Sequence, residues 1–306
     1  MILCCGEALI DMLPDRTKPG ETAFVPAVGG AVFNTAIALG RLGVETGFYS
    51  GLSQDFFGDM LRDALQHSHV DSTLATISNR PTTLAFVRLV DGQARYTFYD
   101  ENTAGRMLEP EDLPLLPDRI QTLFFGGISL VSEPCGSAYE ALMHQHSGRV
   151  TMLDPNIRPG FVTDVAAYRA RLDRMMAQAD IVKLSDEDLR WLFGEGDMQQ
   201  MAQDVIAKGA AIVFVTQGAK GAWAYTGSQS VFVPARAATV VDTVGAGDTF
   251  NAGVLASLSK QGLLGKSALQ SIGKSALTAA LTYGNRAAAI TVARAGANPP
   301  WKKELS

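Results

Sequence analysis

TVVDTVGAGDTFNAGVL, residues 239–255, passes from an apolar run through a glycine turn into a helical pattern. Asp242 and Thr243 close the run and Gly245-Ala246-Gly247 opens the turn. From Asp248 onward Phe250, Val254 and Leu258 recur at a spacing of four. Gly-Ala-Gly leaves the backbone uncovered, and glycine accepts positive φ at little cost. The amides at such a helix start point outward at the positive end of the macrodipole, where an anion is readily held. Asp248 then has two readings. It is a cap that satisfies an orphan amide, or it is a base beside donors that hold a moving phosphate. The residues alone leave both open.

With 306 residues the chain is long enough for one large domain or two unequal ones. It is 47% hydrophobic and 19% charged, so a sizeable core and order throughout are expected. A net charge of −5 with no basic run argues against nucleic acid or an anionic membrane as partner. The start, MILCCGEALIDM, has no basic region and meets Glu7 too soon for a secretory signal, and no apolar run is long enough to span a membrane. Cys4, Cys5 and Cys135 fit no disulfide framework, and Cys4-Cys5 sits in an apolar strand pattern as small hydrophobes do. The expectation is a soluble cytoplasmic protein.

Along the chain, Ile2 to Leu9 reads as a buried strand and Ile10 to Leu13 as a short extension ending at Pro14. Residues 14–28, rich in Pro, Gly, Asp and Thr, break the rhythm. A helix follows over Ala31 to Leu42, closed by Gly43, then a strand over Thr46 to Leu52 and a helix over Phe56 to His69. Thr82 to Leu89 and Ala94 to Tyr99 flank Asp91-Gly92, a hairpin signal that interrupts the alternation. From residue 120 strands at 122–125, 150–153, 181–184 and 212–216 alternate with helices at 137–147, 164–178, 186–193 and 198–208. A second hairpin surrounds Gly227, and helices at 246–260 and 266–284 complete the core. Such alternation predicts a doubly wound α/β fold, its mostly parallel central sheet flanked by helices and its ligands at the carboxyl ends of the strands. Segments 12–28 and 81–103 are set apart as a small β-sheet lid over a main domain of 1–11, 29–80 and 104–306.

DTVGAGDTFNAG resembles the C-terminal signature of the ribokinase-like (PfkB) carbohydrate kinases, and GGAVFNTAIALGRLG at 29–43 resembles the N-terminal one. The two lie in the family's order more than two hundred residues apart, and intermediate landmarks extend the resemblance over nearly the whole chain. It implies that Asp248 is the catalytic base and that the amides of Gly245, Ala246 and Gly247 stabilise the transferred phosphoryl group. It also implies that Asp11 accepts from two sugar hydroxyls, that Gly29 and Gly30 let backbone approach the sugar and act as a hinge, and that Asn34 contacts hydroxyls. Phe98 would cover the apolar face of the sugar. Asp154-Pro-Asn-Ile-Arg158 resembles the D-x-N-x-R element of the fructokinase and 2-keto-3-deoxygluconate kinase branch, which places Arg158 for an anion.

For the nucleotide, the resemblance puts Ser185 and Asp188 at the Asn and Glu positions of an N-x-x-E element. The shorter acid would hold Mg²⁺ through water. Thr216, Gly218 and Gly221 fall on the nucleotide loop and Asn285 beside the adenine. Asp242, with the carbonyls of Val244, Thr291, Arg294 and Gly296, matches a monovalent cation loop for K⁺, although Pro300 stands at a position where the family has Ser. No G-x-x-x-x-G-K-[ST] loop is present, so the phosphate cradle falls to the turn at 245–248.

The activity implied is ATP-dependent phosphorylation of a sugar hydroxyl, with fructose as the substrate and ATP and Mg²⁺ as cofactors. Ala31, where ribokinases often carry Lys, argues against ribose. The alternatives are 2-keto-3-deoxygluconate kinase, for which Arg88, Arg95 and Arg106 are candidate second cations, a nucleoside kinase, and an inactive sugar-binding regulator. A dinucleotide oxidoreductase is set aside because Gly6-Glu7-Ala8 follows the first strand in place of a G-x-G-x-x-G turn. The exposed hairpin edge at 82–99 suggests a homodimer through the lid. His67, His69, His144 and His146 stand two apart in pairs, which share no helix face, and read as surface residues.

Overall fold

The computed structural model describes residues 1–90 and 93–305, without the side chains of 89, 90 and 93–95. The turn expected at Asp91-Gly92 and the side chain of Arg95 therefore lie outside the described residues. Four chain segments open the fold: β1 (Ile2–Cys5), β2 (Leu9–Arg16), β3 (Thr22–Gly29) and α1 (Ala31–Arg41). After them come β4 (Thr46–Tyr49), β5 (Gly51–Ser53), α2 (Phe56–His67), β6 (Val70–Asp71), β7 (Thr76–Ser78), β8 (Leu84–Val90) and β9 (Gln93–Tyr99). The middle of the chain supplies β10 (Thr122–Gly126), α3 (Cys135–Gln145), β11 (Val150–Asp154), α4 (Val165–Gln178), β12 (Ile181–Ser185), α5 (Asp186–Phe193) and α6 (Met198–Lys208). The last third holds β13 (Ile212–Thr216), β14 (Gly221–Tyr225), β15 (Ser230–Pro234), α7 (Ala246–Lys260), α8 (Lys266–Gln270) and α9 (Lys274–Val292).

Among the described residues the large sheet has nine strands in the order β15-β14-β13-β12-β11-β10-β1-β4-β6. It is parallel from β6 to β13, and β14 and β15 are antiparallel at one edge. Strands buried on both faces read as continuous apolar runs, and β1 shows why. Ile2 and Cys4 face one core with α1, α7 and α9, while Leu3 and Cys5 face a second with α3, α4 and α6. The chain starts at β1 in the middle, runs outward to β4 and β6, then returns to β10 on the other side of β1. The strand order therefore reverses between β1 and β10, and a crevice opens at their carboxyl ends.

A separate four-stranded sheet, β3-β2-β8-β9, lies over that crevice. Here the structure differs from the sequence reading. The strand expected over 2–9 stops at Cys5, and the chain leaves the large sheet at Gly6-Glu7-Ala8 to begin β2 in the small one. Residues 14–28, read as a break in the rhythm, are mostly strand, with β2 and β3 paired from Leu9↔Gly29 to Arg16↔Thr22. Pro14 is tolerated because β8 pairs only with Ile10 to Met12, so beyond them β2 has a single neighbour. The strand expected over 46–52 breaks at Ser50, and the helix expected over 266–284 breaks at Ser271 to Gly273, where glycine gives helix nothing to gain. Its second part runs on to Val292, so Asn285 is mid-helix and not a helix end.

Candidate active site

A cleft of about 320 Å³ opens where the small sheet overhangs the reversal point. Asp11, Asn34, Phe98, Arg158 and Asp248 all line it, with Gly30, Gly245 and Gly247 contributing backbone. Residues far apart in the chain meet here because α1 and α7 pack side by side behind the cleft and β2 and β9 roof it.

The turn at 245–248 is built for close approach. Gly245 adopts φ 75°, the left-handed region, and a Cβ on it would stand 2.7 Å from the Cβ of Ala297. Helix α7 begins at Ala246, so its first amides open onto the cleft. Asp248 lies in that first turn, yet it makes no capping bond. Its Oδ2 instead accepts a hydrogen bond of 2.9 Å from Asn34 Nδ2 on α1. The capping reading does not describe it. With 6% of its surface exposed, burial pushes its carboxyl from 3.8 to about 7, Asp154 adds to the rise, and Asn34, Lys183 and Arg158 oppose it.

Asp11 stands on β2, and burial raises its carboxyl to about 6. Gly29 pairs with Leu9 on the adjoining strand, and a Cβ there would overlap Asp11 Oδ2, so glycine is what leaves the carboxylate its place. Arg158 is exposed at the mouth, where its guanidinium donates to the carbonyls of Asn156 and Ile157. Phe98 meets Phe161 edge-on at 4.8 Å and stacks with Tyr96 at 5.9 Å. Arg88 is exposed, and Arg106 is turned away from this cleft toward Asp100 and the carbonyl of Glu133.

Beneath the turn lies a buried polar group whose members nothing in the sequence joins. Lys183 Nζ contacts Asp154 Oδ2 at 3.0 Å, and Asn251 Nδ2 donates to the same oxygen at 2.6 Å. Burial works to lower the Lys183 ammonium, but Asp154, Asp188 and Asp248 outweigh it, so its proton is held more tightly than in water. A Cβ on Gly247 would sit 3.4 Å from Lys183 Nζ, which places a positive charge under the glycine turn. Other cleft residues to which the sequence reading gave no individual site role are Glu7, Tyr96, Asn156 and Thr243. Glu7 had a signal, a charged residue at the end of an apolar strand. Tyr96 had none beyond strand alternation.

The remaining expected residues sit along the same carboxyl edge. Ser185 and Asp188 form a capping box at the start of α5, and Asp188 Oδ1 also accepts from the amide of Ile157 at 2.9 Å. Both its oxygens are thus taken up by protein donors. Asp154 is similarly shared by Lys183, Asn251 and the Asn156 amide. Such a donor set offers no cage for Mg²⁺, and it suits an ion that keeps its water shell and rides on phosphate oxygens. Thr216 ends β13, Gly218 lies in the turn that follows and Gly221 begins β14, and Asn285 Nδ2 donates to the carbonyls of Val233 and Pro234 at the end of β15. Asp242 draws the loops of the expected cation site together, accepting from the amides of Val244 at 3.0 Å and Gly296 at 2.9 Å. Thr291 Oγ1 bonds Thr249, and Arg294 pairs with Glu304.

A buried carboxyl raised to about 7, beside a glycine turn at a helix start and sharing a cleft with a second carboxylate, is an arrangement that can take a hydroxyl proton next to a bound anion. The comparisons with known proteins agree. A curated fructokinase of Rhizobium leguminosarum bv. trifolii is 54% identical over 278 residues, 90% of this chain and 85% of its own. A crystal structure of fructokinase from Xylella fastidiosa with bound ATP matches at a TM-score of 0.90 and 29% identity, over 99% of this chain and 96% of its own. A double mutant of fructokinase from Vibrio cholerae O395, with fructose, ADP and a potassium ion bound, matches at 0.85 and 26%, over 97% and 93%. The profile of the pfkB family of carbohydrate kinases matches residues 1–304, and the chain therefore belongs to that family.

Proposed function

We propose that the protein is an ATP-dependent fructokinase and that Asp248 is its base. The observation that carries this reading is the Asp248–Asn34 pair, desolvated and set at the mouth of the Gly245-Ala246-Gly247 turn in one cleft with Asp11. The ionised Asp248 takes the proton of a sugar hydroxyl as its oxygen attacks the γ-phosphorus. The bond from that phosphorus to the β-bridging oxygen breaks, and its electron pair leaves with ADP. The turn amides hold the charge of the phosphoryl group in flight, and Lys183 adds a fixed charge behind them. Mg²⁺ would supply charge neutralisation at the phosphates, and Ser185 and Asp188 are the residues that would hold it, through water. Thr216, Gly218, Gly221 and Asn285 border the nucleotide. Asp11, Asn34 and the backbone at Gly29 and Gly30 bind the sugar, and Phe98 with the small sheet closes over it as a lid. The loops joined by Asp242 are the place for a potassium ion, and the hairpin edge of the lid is the place for a second copy of the chain. No helix among the described residues is long and apolar enough to cross a membrane. The three cysteines are free and buried, which fits the reducing cytoplasm.

The test is ADP release from purified protein with ATP, Mg²⁺ and a panel of fructose, 2-keto-3-deoxygluconate, ribose, glucose and adenosine. The keto-acid is included because exposed Arg158 is the cation that would take a carboxylate. Turnover greatest on fructose is expected. Preference for the keto-acid would move the assignment within the family, and no turnover on any member would end it.

A further inference from the structure

Four stretches of chain join the small sheet to the main body: residues 6–8, 29–30, 79–83 and 100–104. Each is held by a side-chain carboxylate, at the stretch itself or at the residue next to it. Glu7, in the first, has 8% of its surface exposed. Its Oε1 accepts from the amide of Ala31 at 2.9 Å, and its backbone carbonyl accepts from the amide of Phe33 at 3.2 Å, which ties down the start of α1 just past the second. Its Oε2 accepts from the amide of Ser129 at 3.3 Å. Asp100, in the fourth, accepts from Thr83 Oγ1 at 3.0 Å, which fixes the third, and from Ser132 Oγ at 3.1 Å. Asp55, the cap of α2, grips Thr82 through its amide at 2.8 Å and its hydroxyl at 2.7 Å. Glu7 and Asp100 thus share one short segment of the main body, 127–132, directly after β10, and Glu7 is also tied to the start of α1. A Cβ on Gly127 would overlap the Glu7 carboxylate, so the segment is shaped to receive it.

We propose that Glu7 and Asp100 are positioning residues that clamp the base of the small sheet onto segment 127–132 and so set its pitch over the cleft. Two clamps on one segment make that segment the pivot of the sheet. All four connections are tied at or beside their bases by carboxylates. Asp11 and Phe98 are carried on the clamped sheet, while Asp248 and the nucleotide turn are on the main body. Loosening either clamp therefore weakens the hold on the acceptor and leaves the hold on the nucleotide.

This rests on the sugar-kinase reading for its kinetic arm but not for its structural one. Glu7→Gln sets an amide N–H₂ against one of two backbone donors, and Asp100→Ala removes an acceptor for three side chains. Each should raise the KM for fructose roughly tenfold or more, the size of a lost hydrogen bond to a charged group, with the KM for ATP within about twofold. Asp100→Asn, which keeps one acceptor oxygen, should recover most of the loss. Hydrogen exchange of the full chain should quicken in residues 9–29 and 96–104 and not in β11 to β13. Asp180→Asn, which frees a carboxylate clamping Thr151 and Lys266 in the main body, is the control and should lower stability without moving either KM. The proposal is overturned if exchange in the small sheet is unchanged, or if both KM values and main-body exchange rise together. Absence of turnover in the unmodified protein would end the kinase reading and leave the exchange test standing.

Discussion

Replacing Asp248 by Asn separates catalysis from stability, and the sign of each follows from one buried carboxyl. In the folded chain that carboxyl is raised from 3.8 to about 7. Between those values the native state holds a proton that the unfolded chain has released, so stability falls as pH rises. The contribution is full below the lower value and lost above the upper one. At 1.36 kcal/mol per pH unit, about three units amount to a ceiling of about 4 kcal/mol. Relaxation around a buried charge reduces this, and a net penalty of about 2 kcal/mol at pH 8.5 is expected. The asparagine side chain has the shape of the neutral acid and keeps an oxygen for Asn34, so the variant avoids the penalty. It should melt roughly 4 °C above the parent at pH 8.5, at about 2 °C per kcal/mol for a chain of this length, and the gap should close toward pH 4. Its turnover should fall about 10²–10⁴-fold, the loss of a positioned base. For the parent, kcat/KM should rise with pH through about 7 and then level, as the base ionises. Melting curves of both proteins across that pH range, with initial rates, decide the matter. A melting difference that is the same at both ends, or a variant less stable at pH 8.5, would refute the claim that burial holds this carboxyl high.

Gly29→Ala should push the Asp11 carboxylate out of its place and raise the KM for sugar about tenfold or more, with the KM for ATP unmoved; an unchanged sugar KM would remove Asp11 from the substrate site. Asn34→Ala removes the donor that holds Asp248 down, so the acid limb of the kcat/KM profile should move to higher pH, and a limb that stays put would show the pair is not used. Lys183→Met strands Asp154 in the core and should cost about 3–5 kcal/mol in urea unfolding, most of it regained when Asp154→Asn is added. An undiminished midpoint in the single variant would mean that the pair is solvated.

The large sheet was legible because parallel strands covered on both faces must be apolar throughout, as Ile2 to Cys5 and Ile212 to Val215 are. Helix ends were legible where a local signal fixed them, as with Gly43 past α1 or Ser185 and Asp188 at α5. The small sheet was half legible. Its central hairpin alternates visibly, but β2 and β3 carry Pro14 and Pro26, and prolines count against strand until one sees that β3 is an edge and the far half of β2 has a single neighbour. The break of the first strand at Gly6 was hidden because Ala8, Leu9 and Ile10 continue its apolar run into a different sheet.

The site divides along the same line. Residues with a job at their own position, such as the open turn at Gly245, could be read from a few neighbours in sequence. Groups whose job exists only across the fold could not. Asp248 illustrates the difference, since its neighbours in sequence leave cap and base both open, and what tells against the cap is a side-chain amide 214 residues away. The same holds for Lys183, an ordinary strand residue until Asp154 and Asn251 meet it, and for Glu7, whose carboxylate bonds amides on two other segments. A local turn can offer its amides to an anion, but the raised carboxyl of Asp248, the charge of Lys183 and the bonds of Glu7 are each set by at least two elements. A substitution that leaves every signature intact can therefore still disable the cleft, provided it cuts one of these long-range bonds.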